Sequence, residues 1–111
     1  MATHHMKLTP APFKRLIEGE KRLELRLYDA KRQQVNVDDD IVFTDTESGD
    51  THTSKVTGLL IYSTFAELLD DIPTRLLGYP ESERSYLRTS MYEVYTPEQE
   101  AQHGALGKRL S

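Results

Sequence analysis

Three charged residues, Lys21, Glu24 and Arg26, have the types and the spacing needed to hold one polar ligand between them. In a β-strand, Glu24 and Arg26 would share a face about 6 to 7 Å apart, because a strand rises roughly 3.3 Å per residue. The Glu24 carboxylate can accept hydrogen bonds from the exocyclic amine of a nucleobase. The Arg26 guanidinium can bind a phosphate in a forked geometry or stack on a base. Lys21, in the turn before the strand, can reach a phosphate or polarise a carbonyl group.

Four further residues could extend such a site. Lys31 and Arg32 follow in a polar loop and could continue a basic track along a nucleic-acid backbone. Tyr62 could stack on a base, and Ser63 follows it at the end of a later predicted strand. Each assignment has a structural alternative, namely a solvated loop for the two basic residues and a core position for Tyr62. For the charged strand itself, the alternative is a surface ladder worth less than about 1 kcal/mol.

The elements that must position these side chains are a strand and the short helix before it. Residues 22–28 alternate between leucines and mostly charged side chains, which predicts a strand with the leucines toward the core. The preceding helix is predicted to begin after Thr9, with Pro10 at its first position, and to end at Gly19. The charged side chains of the strand would then face the ligand.

The rest of the chain alternates between strand and helix patterns. Strands are predicted at residues 41–43 and 56–62, joined by a hairpin over residues 45–50 that is rich in Asp, Ser and Gly. Helices are predicted at residues 65–72, 81–91 and 97–104, and a closing strand at 105–110. Strands joined by a hairpin favour antiparallel pairing, and curling the sheet removes exposed edges. The expected fold class is α+β, a small mixed, mostly antiparallel β-barrel with short flanking helices.

The composition predicts one domain without a metal centre or a membrane segment. The chain has 111 residues, of which 37% are hydrophobic, enough for one modest core. It contains no cysteine, which excludes disulfides and thiolate–metal sites, and its four histidines lack metal-binding spacing. No run approaches the roughly 18 apolar residues of a membrane-spanning helix. We therefore expect no cofactor and a cytoplasmic location, with residues 1–5 as a disordered tail and residues 6–111 as a single domain.

Charge is distributed unevenly along the chain, although the net charge is only −4. Residues 7–32 contain eight Lys or Arg and four Asp or Glu, a net charge of +4. Residues 38–71 contain one Lys and nine Asp or Glu, a net charge of −8. On charge alone, solvated surface is the expected role of both segments. The alternatives are a basic cleft for an RNA or nucleotide partner and an acidic face for a protein partner. No long apolar stripe demands a second subunit, so we expect a monomer or a weak dimer.

The spacing Gly19-x-Lys21-x-x-Glu24-x-Arg26 after a short helix resembles the signature of ASCH domains, which belong to the PUA-like superfamily. The resemblance runs from Met6 to Leu110 and includes the segments RLYDAKRQ, DDDIVF, IYSTFAELL, YEVYTPEQE and HGALGKRL. It implies a small PUA-like β-barrel with flanking helices and a cleft between them. Because ASCH domains and their relatives are thought to bind RNA or modified nucleotides, the resemblance implies such a ligand for this cleft.

The same resemblance implies an alternative function, a hydrolase that acts on nucleic acid or nucleosides. One group of relatives resembles N4-acetylcytidine amidohydrolases, which use a Lys, a Thr and a Glu, and another member class is described as a ribonuclease. In this chain the catalytic residues would be Lys21, Glu24 and Glu81, with Lys21 polarising the bond and a glutamate acting as base toward water. Glu24 stands where the amidohydrolases carry threonine, so the chain lacks their hydroxyl. Whether the protein is an enzyme stays open on the sequence alone.

Overall fold

Five β-strands and four α-helices build the molecule, and the first two strands of the chain lie at opposite edges of one curled sheet. The computed structural model describes residues 1–111. In chain order the elements are β1 (Thr3–Leu8), α1 (Pro10–Ile17), β2 (Leu23–Leu27), β3 (Asp40–Asp45), β4 (Thr51–Tyr62), α2 (Phe65–Asp71), α3 (Arg84–Val94), α4 (Pro97–His103) and β5 (Ala105–Leu110). Three short 3₁₀ turns at Arg32–Gln34, Thr74–Leu76 and Glu81–Glu83 complete the chain. The longest helix, α3, has 11 residues, and none of the helices is long and apolar enough to cross a membrane.

The strand order is β1-β3-β4-β5-β2, with β1 and β3 parallel and every other neighbouring pair antiparallel. The predicted α+β class and mostly antiparallel sheet are therefore confirmed, and the sheet curls into a half-barrel. Strands β1 and β2 are its edges and face each other across an unpaired seam. One side-chain hydrogen bond joins the two edges, from Arg26 Nη2 to the carbonyl oxygen of Lys7 at 3.4 Å. Next to the seam, Lys108 Nζ of β5 lies 2.9 Å from Met6 Sδ of β1.

Two clusters of buried apolar side chains fill the curl of the sheet and hold the helices. The first includes residues of α1, β1 and β3 and consists of Met6, Leu8, Phe13, Leu16, Val35, Ile41, Phe43, Val56 and Leu110. The second includes residues of α2, α3 and β2 and consists of Leu23, Leu27, Phe65, Leu68, Leu69, Ile72, Leu77, Leu87 and Ala105. The three leucines of β2 contact this second cluster, as the alternation predicts. Since side chains alternate between the faces of a strand, Glu24 and Arg26 point to the opposite face, toward the seam.

Residues 3–5 belong to β1, which differs from the disordered tail predicted for residues 1–5. This segment pairs in parallel with β3. His4 Nε2 lies 2.8 Å from Asp39 Oδ2, and the backbone N–H of Ala2 donates to Asp39 Oδ1 at 3.0 Å. These hydrogen bonds, led by the one with His4, lower the pKa of Asp39 to about 2. Because Thr3 pairs with Asp40 on a distant strand, no local sequence pattern signals that β1 extends back to Thr3.

Gly104 connects α4 to β5 in a conformation that only glycine adopts readily, with φ 80° and ψ −174°. A Cβ atom there would lie 2.9 Å from the carbonyl oxygen of Tyr62. We expect Gly104→Ala to lower the free energy of unfolding by about 1 to 3 kcal/mol, measured by urea denaturation. Gly49→Ala is the matched control, because Gly49 has φ 77° but no atom within 4 Å of a new Cβ. Equal losses in the two variants would contradict a close contact at Gly104.

Candidate functional site

A cleft of about 410 Å³ opens at the seam, where β1, β2, α1 and α3 meet. Its volume lies in the range of sites for small ligands. Its charged lining residues are Lys7, Arg15, Lys21, Glu24 and Arg26. The rest of the lining is mostly apolar or aromatic and consists of Leu8, Thr9, Pro12, Leu25, Leu77, Tyr79, Leu87, Met91, Val94 and Tyr95. Such a lining suits a ligand that has a flat apolar ring and polar edges.

Lys21 is held at the cleft by the turn that follows α1. Gly19 adopts φ 77°, which lets the chain reverse after the helix. The backbone N–H of Lys21 donates to the carbonyl oxygen of Arg15 at 3.0 Å, and Lys21 forms an isolated β-bridge with Leu77. The Lys21 side chain is only 12% exposed. Its ammonium group is therefore directed toward the strand rather than into water.

Glu24 is the one carboxylate in the cleft lining, and its side chain is 6% exposed. Lys21 Nζ lies 3.3 Å from Glu24 Oε2, and Arg26 Nε lies 2.9 Å from Glu24 Oε1. These are ion-pair distances, but neither contact has the directionality of a hydrogen bond, so Glu24 Oε2 and Arg26 Nε are buried without a hydrogen-bond partner. A buried polar atom without a partner destabilises a fold. A ligand that supplied one donor and one acceptor would give both atoms the hydrogen bonds that they lack.

Lys108, on β5, is a functional candidate that no motif in the sequence indicates. It lies directly opposite Glu24 in the β2–β5 pairing, so the two side chains share a face. The residue is 1% exposed, and its ammonium group has only the sulfur of Met6 as a hydrogen-bond partner. Burial lowers the pKa of Lys108 to about 8, opposed by the Glu24 charge and assisted by nearby cations such as Arg26. A single carboxylate thus faces three cations, because Lys108 joins Lys21 and Arg26 around Glu24.

Aromatic side chains form part of the cleft wall. The Arg15 guanidinium lies 4.4 Å from the ring centroid of Tyr79, and Arg15 Nη1 donates to the Tyr79 hydroxyl at 3.0 Å. Tyr95 also lines the cleft and stacks on Phe65 with ring centroids 5.4 Å apart. These partners fix the orientations of both tyrosine rings. The cleft therefore offers ordered aromatic surfaces on which a base can stack.

Lys31 and Arg32 lie in a second depression beside the cleft, not in the cleft itself. This depression, which we call the basic basin, has a volume of about 380 Å³. It is lined by His5, Met6, Lys7, Arg26, Lys31, Arg32 and Thr44. Lys7 and Arg26 line both the basin and the cleft, so the two depressions are adjacent along the seam.

Tyr62 and Ser63, which are predicted from the sequence to bind the ligand, lie away from the cleft. They line a separate groove beside α4, because Tyr62 at the end of β4 pairs with Ala105 at the start of β5. The Tyr62 hydroxyl donates to Asp71 Oδ2 at 2.8 Å, and this hydrogen bond to a carboxylate raises the pKa of Tyr62. Tyr62 is therefore engaged in a contact with α2 and does not reach the proposed ligand.

Glu81, the third candidate catalytic residue, also lies outside the cleft lining. It is exposed in the turn before α3, where Arg84 Nε donates to its Oε2 at 2.8 Å. This hydrogen bond lowers the pKa of Glu81. The sequence match could not show that Glu81 lies outside the cleft, because the direction of its side chain depends on how the segment between α2 and α3 folds. Lys21 and Glu24 are thus the two catalytic candidates that share the cleft.

Known structures share this architecture over nearly the whole chain. The crystal structure of hypothetical protein PH0355 aligns with a TM-score of 0.85 and 27% identity, covering 98% of this chain and 97% of that one. The solution NMR structure of protein PF0455 from Pyrococcus furiosus gives a TM-score of 0.72 and 27% identity over 98% of this chain and 96% of that one. An ASCH protein from Zymomonas mobilis gives a TM-score of 0.66 over 98% of this chain and 66% of that one, and its 12% identity shows the fold alone. No curated protein matches the sequence.

The family assignment covers all the residues that line the cleft. The family model described as the ASCH domain matches residues 6–111, which include the entire β2 segment and β5 with Lys108. The curled five-stranded sheet agrees with the ASCH structure from Zymomonas mobilis. The chain therefore belongs to the ASCH domain family.

Proposed function

We propose that the protein binds RNA or a modified nucleotide, with a base in the cleft. The observation that carries this proposal is the buried Glu24 carboxylate, whose Oε2 has no hydrogen-bond partner and whose side chain lines a 410 Å³ cleft. A nucleobase with an exocyclic amine supplies the missing donor, since a carboxylate accepts from such an amine. Membership of the ASCH family, whose PUA-like domains are proposed to bind RNA, supports the same class of ligand.

In this proposal each of the three charged side chains binds a different group of the ligand. Glu24 Oε2 accepts from the amine of the base, and Lys21 Nζ, 3.3 Å from it, donates to a neighbouring carbonyl oxygen of the base. Arg26 spans the border between the cleft and the basin and is placed to meet the backbone of the ligand. Stacking on the aromatic cleft wall contributes about 1 to 3 kcal/mol per base.

Binding of a short single-stranded RNA, followed by fluorescence anisotropy, tests the proposal. We expect the affinity to fall as salt concentration rises, because phosphate contacts release counterions. The double variant Lys21→Ala, Arg26→Ala is expected to bind about tenfold or more weakly, since each charged hydrogen bond is worth about 1.5 to 3 kcal/mol. Lys55→Ala is the matched control, because Lys55 pairs with Asp40 at 3.5 Å and lines neither depression. A double variant with wild-type affinity would contradict the proposal.

The contact between Lys21 and Glu24 supports a second candidate function, hydrolysis of an acylated nucleoside or of RNA. Glu24 can take a proton from water while Lys21 polarises the bond under attack. Incubation with N4-acetylcytidine and with short RNAs tests this, with Lys21→Ala as the comparison. Turnover that Lys21→Ala abolishes supports catalysis, whereas equal rates for the two proteins exclude it for those substrates.

A further inference from the structure

The basic basin contains an excess of positive charge that no protein group balances. Four of its seven lining residues are Lys or Arg, and none is Asp or Glu. Arg32 pairs with Asp29 at 2.9 Å and Arg26 pairs with Glu24, but Lys7 and Lys31 make no ion pair. The buried Nε of Arg32 has no hydrogen-bond partner.

Lys108 adds a buried cation next to the basin. It lines a small cavity together with His4 and Val35, and this cavity shares His5, Met6, Lys31 and Arg32 with the basin. The Lys108 side chain is almost fully buried, with only a thioether sulfur as partner, so its ammonium group lacks the acceptors it would have in water. An exposed lysine cluster is easily solvated, whereas an almost fully buried and poorly partnered ammonium indicates a place for an anion.

We propose that the basic basin is a phosphate subsite, which takes a phosphate of the same nucleotide whose base enters the cleft. The ligand is then a phosphorylated nucleotide or oligonucleotide rather than a free nucleoside. A phosphate offers several acceptor oxygens to the Arg26 and Arg32 forks and to the lysine ammonium groups. Arg26 and Lys7 line both depressions and so connect the base to the phosphate. This inference rests on the proposed function for the base, but the anion site itself can be tested alone.

The subsite couples phosphate binding to the protonation of Lys108. The charged groups that face Lys108 are Glu24, Arg26, Lys31 and Arg32, and the rings of His4 and His5 line the same small cavity as Lys108. A bound phosphate favours the charged amine, while the free protein has a lowered Lys108 pKa of about 8. Phosphate affinity is therefore expected to fall between about pH 7.5 and 9.5, above the ordinary titrations of histidine and of a phosphate monoester. In Lys108→Met, the phosphate affinity should fall less over the same pH range.

Titration of ¹⁵N-labelled protein with inorganic phosphate tests the anion site directly. We expect the amide resonances of His5, Lys7 and Thr44 to shift, and the affinity to drop about fivefold or more in Lys31→Ala and in Lys108→Met. Lys31 is exposed and unpaired, so its replacement leaves the fold intact, and Lys55→Ala is again the control. Absence of shifts at the basin, or equal phosphate affinity in wild type, Lys31→Ala and Lys108→Met, would overturn the subsite.

A nucleoside and its monophosphate, titrated in the same way, test whether one ligand spans both depressions. We expect the monophosphate to bind about tenfold or more tightly and to shift resonances of both the cleft and the basin. A nucleoside that binds as tightly as its monophosphate overturns the phosphate subsite and leaves the cleft proposal intact. Phosphate shifts at the basin without any response of cleft amides to the nucleotide would instead overturn base binding, and with it the claim of a single spanning ligand.

Discussion

Replacing Glu24 with alanine is expected to lower the free energy of unfolding by about 3 to 5 kcal/mol. Glu24 is the common counter-charge of Lys21, which is 12% exposed, and of Arg26, which is 22% exposed. It also raises the pKa of Lys108, which faces it from β5 and is buried. Removing the carboxylate leaves three largely buried cations close together without compensation. Breaking a buried ion pair from one side is among the most destabilising single changes.

Urea denaturation of Glu24→Ala, Glu24→Gln and Glu47→Ala measures this effect. Glu24→Gln keeps the size and the hydrogen-bonding oxygen but removes the charge, so most of the loss should remain. Glu47→Ala is the control, because Glu47 is exposed in the turn between β3 and β4 and its side chain makes no hydrogen bond or ion pair. A loss of less than about 1 kcal/mol in Glu24→Ala would mean that the charged residues of β2 act as an ordinary exposed ladder. The proposed site would then lose its physical basis.

Lys108→Met is expected to have the opposite effect to Glu24→Ala. It should raise the free energy of unfolding by about 1 to 3 kcal/mol near neutral pH. Lys108 is 1% exposed, and burial lowers its pKa from 10.5 to about 8, which means that the folded state disfavours its charge. Methionine has a similar length and needs no hydrogen bonds, so it removes the burial penalty while keeping the packing. Glu24 retains Lys21 and Arg26 as partners.

The pH dependence of the free energy of unfolding tests whether the stabilisation in Lys108→Met comes from removing a buried charge. Below a pH of about 8, Lys108 is protonated in both the folded and the unfolded chain, and the full penalty applies. Between about pH 8 and pH 10.5 the unfolded chain binds more protons at Lys108 than the folded chain does. The free energy of unfolding of the wild type therefore rises with pH across this range. The advantage of Lys108→Met should therefore shrink across this range, whereas Lys55→Met should change stability by less than about 0.5 kcal/mol throughout. A destabilised Lys108→Met variant would contradict an uncompensated buried charge.

Opposite effects of Glu24→Ala and Lys108→Met on the free energy of unfolding would distinguish a ligand site from a structural ion pair. A structural pair stabilises the fold from both sides, and loss of either partner destabilises it. Here we expect the Glu24 carboxylate to stabilise the fold and the Lys108 ammonium group to destabilise it. Natural proteins break such local rules chiefly at functional sites. We therefore interpret Lys108 as a residue kept for binding an anion.

Local sequence patterns predicted most of the fold that positions the site. The alternation of leucine and charge in β2 defined both the strand and the face that carries Glu24 and Arg26. Short-range capping signals were equally informative, since Thr96 and Gln99 form the reciprocal hydrogen bonds that begin α4. These features depend on neighbours within four residues, which the sequence displays directly.

The features that the sequence did not predict depend on contacts between distant residues. β1 begins at Thr3 because it pairs with β3, and Lys108 joins the site because β5 pairs with β2. A lysine in a predicted strand ordinarily faces water, so only this pairing identifies Lys108 as buried. Glu81 was assigned to the site by the resemblance to the amidohydrolases and Tyr62 by its residue type. In the structure Arg84 donates to Glu81, and Tyr62 donates to Asp71.

The central claim, that Glu24 Oε2 accepts a hydrogen bond from a nucleobase, is tested most directly by a crystal structure with a single-stranded RNA that contains cytosine. We expect a base in the cleft with its exocyclic amine at about 2.7 to 3.2 Å from Glu24 Oε2. The ring should stack against the aromatic wall that includes Tyr79. RNA bound elsewhere, for example in the groove of Tyr62 and Ser63, with the cleft unchanged would contradict the claim.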